Sequence, residues 1–147
     1  MADRGPPPRV SLVTLGVADV ARATAFYEAL GWALSSASVP GEVSFFSTAG
    51  GLLALWGTAD LAEDAGLPPG QPGGFRGVSL AINVETEAAV DEALVAAVAA
   101  GGELIRPART IEWGGYNGYF TDPDGHVWEV AYNPGWPIGD DGRPRLP

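Results

Sequence analysis

The sequence predicts an α+β fold made of two copies of one βαβββ module, and three observations carry the prediction. A strand-like run followed by an amphipathic helical run occurs twice, about 67 residues apart. Each helical run opens on a capping residue and closes on glycine. Each is then followed by three short runs with strand character.

In the first copy, residues 12–17 form the strand. Asp19 is placed to cap the helix, Val20, Ala23, Tyr27 and Leu30 fall on one of its faces, and Gly31 stops it. Further strands are expected at residues 32–38, 43–47 and 51–56. The second copy repeats the order, with a strand at 78–84, Thr86 as cap, Val90, Leu94 and Val98 as the apolar stripe, and Gly101-Gly102 as the stop. Its remaining strands are expected at 103–106, 116–121 and 126–132. Asp122-Pro123-Asp124-Gly125 starts the last of them: proline presets φ, the aspartates bond nearby backbone, and glycine supplies a positive φ. Alternation then puts Val127, Glu129 and Ala131 on one face and His126, Trp128 and Val130 on the other. Glu129 is thus a carboxylate in an apolar row, where a charge is costly unless something pairs with it.

The chain has 147 residues, 46% of them hydrophobic, which suits a single domain. Its parts are expected at about 9–57 for the first module, 58–76 for a long connection with room for one short helical turn, 77–133 for the second module, and 134–147 for an extended tail anchored by Trp136. Cysteine is absent, which excludes disulfides, thiol nucleophiles and thiolate metal sites. All the basic residues are arginines, so lysine Schiff-base chemistry is excluded as well. A formal charge of −10 argues against nucleic acid and anionic membranes as partners. Acidity of this kind is common in soluble proteins, and it also suits attraction of a cationic ligand. The first residues lack the apolar core of a signal peptide and no apolar run reaches membrane-spanning length, so a cytoplasmic protein is expected.

The phrases Val17-Ala18-Asp19-Val20, Ala25-Phe26-Tyr27-Glu28-Ala29-Leu30-Gly31-Trp32 and Asp122-Pro123-Asp124-Gly125-His126-Val127-Trp128-Glu129, set on the repeat, resemble the vicinal oxygen chelate superfamily. This group contains glyoxalase I, extradiol dioxygenases, fosfomycin-resistance enzymes and bleomycin-binding resistance proteins. The resemblance spans roughly residues 9–136. It implies that the two modules form a cup-shaped mixed sheet with helices outside and ligands inside. It also implies a homodimer, whose cup is formed within one chain or by swapping modules between two.

The metalloenzymes of that group carry a ligand at matched positions on the first and last strand of each module. Carried over, those positions are Leu12, Ala54, Ser79 and Glu129, of which only Glu129 binds a metal well. A slip of two residues brings in Val10, Thr14, Leu52, Trp56, Gly77 and Ala81, none of them a credible ligand. Neither metal nor other cofactor is therefore expected, and glyoxalase I, extradiol dioxygenase and metal-dependent fosfomycin chemistry are disfavoured. His126, the sole histidine, faces away from Glu129 and reads as a turn residue rather than a catalytic group. No P-loop, dinucleotide-binding turn or nucleophile elbow is present.

What remains is an aromatic cup with few polar groups. Trp56 shares the face of Ala54, Trp113 lies in a Trp-Gly-Gly-Tyr loop, and Tyr116 and Asn117 follow it. Such aromatics serve as core or as ligand contacts. Asn83 shares a face with Ser79 and either orients a ligand or bridges the strand end near Thr86. Two readings stay open. One is a metal-free protein that binds a small aromatic or cationic molecule, as in drug sequestration, through Trp56, Ser79, Asn83, Trp113, Tyr116 and Glu129. The other is a metal-independent isomerase, cyclase or lyase acting on a natural-product-like molecule, with Glu129 as the catalytic acid or base.

Overall fold

The computed structural model describes residues 5–71, 74–112 and 114–147. Among these the elements follow in the order β1 (Leu12–Val17), α1 (Val20–Ala29), β2 (Val43–Thr48), β3 (Gly51–Gly57), α2 (Thr58–Ala65), β4 (Ser79–Asn83), α3 (Glu87–Ala99), β5 (Glu103–Thr110), β6 (Tyr116–Thr121) and β7 (Val127–Tyr132). They build two mixed sheets, ordered β1-β3-β2 and β4-β7-β6-β5. In each, the first strand of the module runs parallel to its last, and antiparallel pairs follow. The chain thus has the α+β fold of two related modules that the sequence predicts.

Helix boundaries fall where the capping residues place them. Asp19 is extended and its carboxylate accepts from the Arg22 N–H, while Thr86 does the same for Ala89. Gly31 and Gly101 leave the helices at φ 94° and 112°, a conformation that favours glycine. The apolar stripes are close to expectation, with two changes. Phe26 is buried beside Tyr27, and Ala97 rather than Val98 faces inward, since Val98 is 49% exposed.

Two strands differ from expectation. Residues 32–38 contribute only a bridge from Leu34 to Phe46, because Ser35 and Ser38 spend their hydroxyls on the Ala37 and Phe45 N–H groups, a local bonding that competes with a ladder. Strand β5 runs on past Pro107 to Thr110. It lies at the edge of its sheet and carries bulges between Leu104 and Arg106 and between Arg106 and Arg109, the setting in which proline is tolerated within a strand.

One core serves both modules. Val20, Ala23, Phe26 and Tyr27 of α1 and Val90, Leu94 and Ala97 of α3 pack with Leu53 and Leu55 of β3, Phe120 of β6, and Trp128 and Val130 of β7. Phe26 contacts Phe120, and Tyr27 contacts Trp128, with ring centroids 6.3 Å and 6.1 Å apart. Helices α1 and α3 therefore cover one face of each sheet, whereas α2, longer than the short turn expected of the connection, brings Thr58 and Leu61 against Gly16 on the other face of β1. In the second sheet the opposite face, which carries Glu129, is left open.

Candidate functional site

Glu129 stands in the middle of β7, with Ala81 of β4 on one side and Tyr119 of β6 on the other. Its neighbours Trp128 and Val130 turn into the core, which fixes Glu129 on the open face. Two residues along, on the same face, Ala131 is flanked by Asn83 and Asn117. Asn117 is only 7% exposed and donates through Nδ2 to Glu129 Oε2 at 2.6 Å. Its Oδ1 accepts from Nη2 of Arg106, whose guanidinium lies over the Tyr119 ring at 5.1 Å. A guanidinium can only donate, so the Asn117 oxygen must face Arg106 and its NH₂ must face Glu129. Arg106 thereby sets Glu129 as an acceptor. Oε1 of Glu129 accepts no hydrogen bond from the described residues.

The bulge in β5 puts Arg106 there. Leu104 pairs with Phe120 on the helix side, whereas Arg106 pairs with Tyr119 on the open side, with Ile105 as the extra residue between them. Plain alternation would have given Leu104 and Arg106 the same face, and Pro107 signals a disturbed ladder without saying where the extra residue falls. Asn117, by contrast, is legible from its place in β6 one residue after Tyr116.

The other candidate residues scatter around this centre. Trp56 is half-buried at the end of β3, opposite Val43 and Gly16. Tyr116 lies on the helix side of β6, where its hydroxyl donates to Asp91 of α3 at 2.7 Å, and this bond raises its pKa above the usual tyrosine value. Trp113 lies outside the described residues. Ser79 and Asn83 line a cavity of about 810 Å³ that runs along the unpaired edges of β1 and β4, with Trp32 and Trp128 also in its wall. That lining includes neither Glu129 nor Trp56.

His126 bonds away from the open face. Its Nε2 donates to the Gly16 carbonyl oxygen at 2.7 Å, and its backbone N–H donates to Asp122 Oδ1. The same turn docks on α1, where Asp124 accepts from the Ala18 N–H at 2.8 Å and from Arg22 at 3.0 Å. Tyr27 donates to Asp122 Oδ2 at 2.7 Å and accepts from Trp128 Nε1 at 3.1 Å. Burial first, and then the charge and hydrogen bond of Asp122, push the Tyr27 pKa well above its ordinary value.

Register brings the four matched positions into view for a metal. The ladder sets Leu12 beside Leu52, Ala54 beside Thr14, Ser79 beside Val127 and Glu129 beside Ala81, so the four positions and their partners offer one carboxylate, two hydroxyls and otherwise apolar groups. A catalytic transition-metal site takes about three protein ligands of imidazole, thiolate or carboxylate type. The residues present do not fit one. Among the described residues, no three His, Cys, Asp or Glu side chains gather closely enough to hold an ion.

Comparison with known proteins places this architecture. The family described as Glyoxalase/Bleomycin resistance protein/Dioxygenase superfamily matches residues 9–130. A glyoxalase-related enzyme from Fulvimarina pelagi is 41% identical, with 95% of this chain and 98% of that one covered and a TM-score of 0.85. A glyoxalase/bleomycin resistance protein/dioxygenase from Nocardioides is 28% identical over 87% of this chain and 85% of its own, with a TM-score of 0.72. A lactoylglutathione lyase from Agrobacterium tumefaciens is 25% identical over 87% of this chain and 96% of its own, with a TM-score of 0.67. No curated protein matches. Paired modules, shared core and family match agree, and the chain belongs to the glyoxalase/bleomycin resistance protein/dioxygenase, or vicinal oxygen chelate, superfamily.

Proposed function

We propose that this chain is a metal-independent member of its superfamily that binds a small aromatic or cationic organic molecule against the open sheet face, with Glu129 as the polar anchor. The observation that carries the reading is the donor chain from Arg106 through Asn117, which commits Glu129 Oε2 to accepting while Oε1 has no hydrogen bond from the described residues. An anchor of this kind meets an ammonium or amidinium group with a charge-assisted hydrogen bond. Tyr119 supplies aromatic surface beside Glu129 on the open face, suited to a cation or a flat ring, and Trp56 of the other sheet enters this reading as a second aromatic contact. A homodimer belongs to this reading, and sedimentation equilibrium checks it.

The same acceptor geometry also supports a second reading, in which Glu129 takes a proton from a bound substrate as a general base. The donor chain favours base over acid, because Oε2 must accept from Asn117 and has no proton there to give.

Glu129→Gln tests both. It should weaken a cationic aromatic ligand by about 1.5–3 kcal/mol and leave neutral analogues nearly unchanged, as titration calorimetry would read. Under the second reading it abolishes turnover with substrate affinity kept. Unchanged affinity and activity would remove Glu129 from the site. Elemental analysis after growth in metal-supplemented medium should find no transition metal at one per chain; a tightly held zinc, iron, manganese or nickel that survives dialysis would overturn the metal-independent part.

A further inference from the structure

The cavity between β1 and β4 has chemistry of its own. Strand β1 pairs only with β3, and β4 only with β7, so each leaves one edge of peptide groups unpaired along the cavity. Apolar side chains from both modules line it, with Val10 at 74% exposure and Val78 at 65% near its mouth, Leu12 and Leu52 beside them, and Trp32 and Trp128 in edge-to-face contact at 5.6 Å in its wall. Large apolar side chains crowded together at a concave surface mark a binding site rather than ordinary surface. The volume, about 810 Å³, is that of a pocket for a small organic molecule.

Its charge is the telling feature. Among the described lining residues, the one ionisable side chain is Arg143. The C-terminal segment brings it there: a turn closed by the bridge from Ile138 to Pro144 carries Arg143 to the β2–β3 turn, where Nε donates to the Ala49 carbonyl oxygen at 2.7 Å. That bond uses one of five donors and orients the guanidinium; Asp141 accepts from the Arg143 backbone N–H at 3.0 Å, but among the described residues no carboxylate lies within 4.0 Å of the guanidinium nitrogens. In a chain of net charge −10, the long-range field repels anions, so a lone cation at the rim of an apolar cavity acts as a local counter-charge. Ser79 and Asn83 add neutral hydrogen-bonding groups on the β4 side.

We propose that this cavity binds an apolar, flat-bodied molecule bearing a single carboxylate-type anion, with the body between the β1 and β4 edges and the anion on Arg143. The Glu129 anchor is its neighbour, since Ala81 lines the cavity and pairs with Glu129 in the ladder, but Glu129 itself is not in the lining and the cavity prefers the opposite charge.

Three probes that differ only in head group test it: 2-naphthoate, 2-naphthylmethanol and 2-naphthylmethylammonium, titrated at about 0.1 M ionic strength so that long-range fields are screened. The anion should bind at least about tenfold more tightly than the alcohol, with quenching of tryptophan fluorescence. Arg143→Gln should remove that advantage while the affinity for the alcohol stays, which shows that the cavity itself is intact. Equal affinity for naphthoate and alcohol in the unaltered protein overturns the proposal, as does an anion preference that survives Arg143→Gln. Glu129→Gln separates the two sites: naphthoate affinity controlled by Glu129 instead of Arg143 overturns this inference and leaves the Glu129 reading standing. If Val10→Asp with Val78→Asp changes the association state and leaves naphthoate binding intact, the apolar mouth belongs to a second copy of the chain and the proposal falls.

Discussion

The hydroxyl of Tyr27 is at once donor to Asp122 and acceptor from Trp128, in a side chain with no exposed surface. Tyr27→Phe keeps the ring packing and strands both partners in the core. It should cost about 2–3 kcal/mol in urea unfolding, the range for a lost hydrogen bond to a charged group with buried partners left unmet. The same residue sets an alkaline limit. A tyrosine in the unfolded chain ionises near pH 10, whereas the folded protein holds Tyr27 protonated beyond that. Above about pH 10 the unfolded state therefore sheds the proton first and gains, so stability falls as pH rises, and Tyr27→Phe should flatten that decline. At this scale the sequence was readable where alternation is undisturbed: Glu129 falls on the open face as its place in the strand requires. Arg106 was not readable, because its face is set by one extra residue in an edge strand, and the adjacent Pro107 hints at a bulge without fixing its position.

Helix α3 approaches β6 so closely that Gly118 has no room for a side chain. A Cβ there would come within 2.6 Å of Leu94 Cδ1 and 2.9 Å of the Ala108 nitrogen. Leu94 could turn aside, but the β5 backbone could not without breaking its bulged ladder. Gly118→Ala should accordingly lower stability by about 1–3 kcal/mol by denaturant melt, an overpacking cost. Because Asn117 is the next residue, the same change should also loosen the bond to Glu129, measurable as weaker binding of a cationic probe. Elements with a cap at one end and a glycine at the other were placed well from sequence, since both signals are local. The run at 32–38 was not, because serine hydroxyls diverted its backbone partners, and neither was the length of β5, where an edge position excuses the proline.

For the whole molecule, the repeat was visible because two hydrophobic patterns recur in the same order, but the cavity was not, since it depends on the gap between two strands that do not pair. The shared core makes a further claim. Phe26 and Tyr27 of the first module pack on Phe120 and Trp128 of the second, so neither module keeps its apolar face covered alone. Unfolding should be one cooperative transition, with far-ultraviolet circular dichroism and tryptophan fluorescence giving coincident curves; two separated transitions would mean that the modules are independent. The hydrogen bonds that join the modules run from Gly16, Ala18, Arg22 and Tyr27 to the β6–β7 turn and Trp128. They lie together, like the spine of a book, while β1 and β4 are the two facing pages. Trp128 belongs both to that spine and to the cavity wall, so the width of the gap is tied to the packing of the shared core, and a molecule held there should stabilise the whole fold and not one module alone.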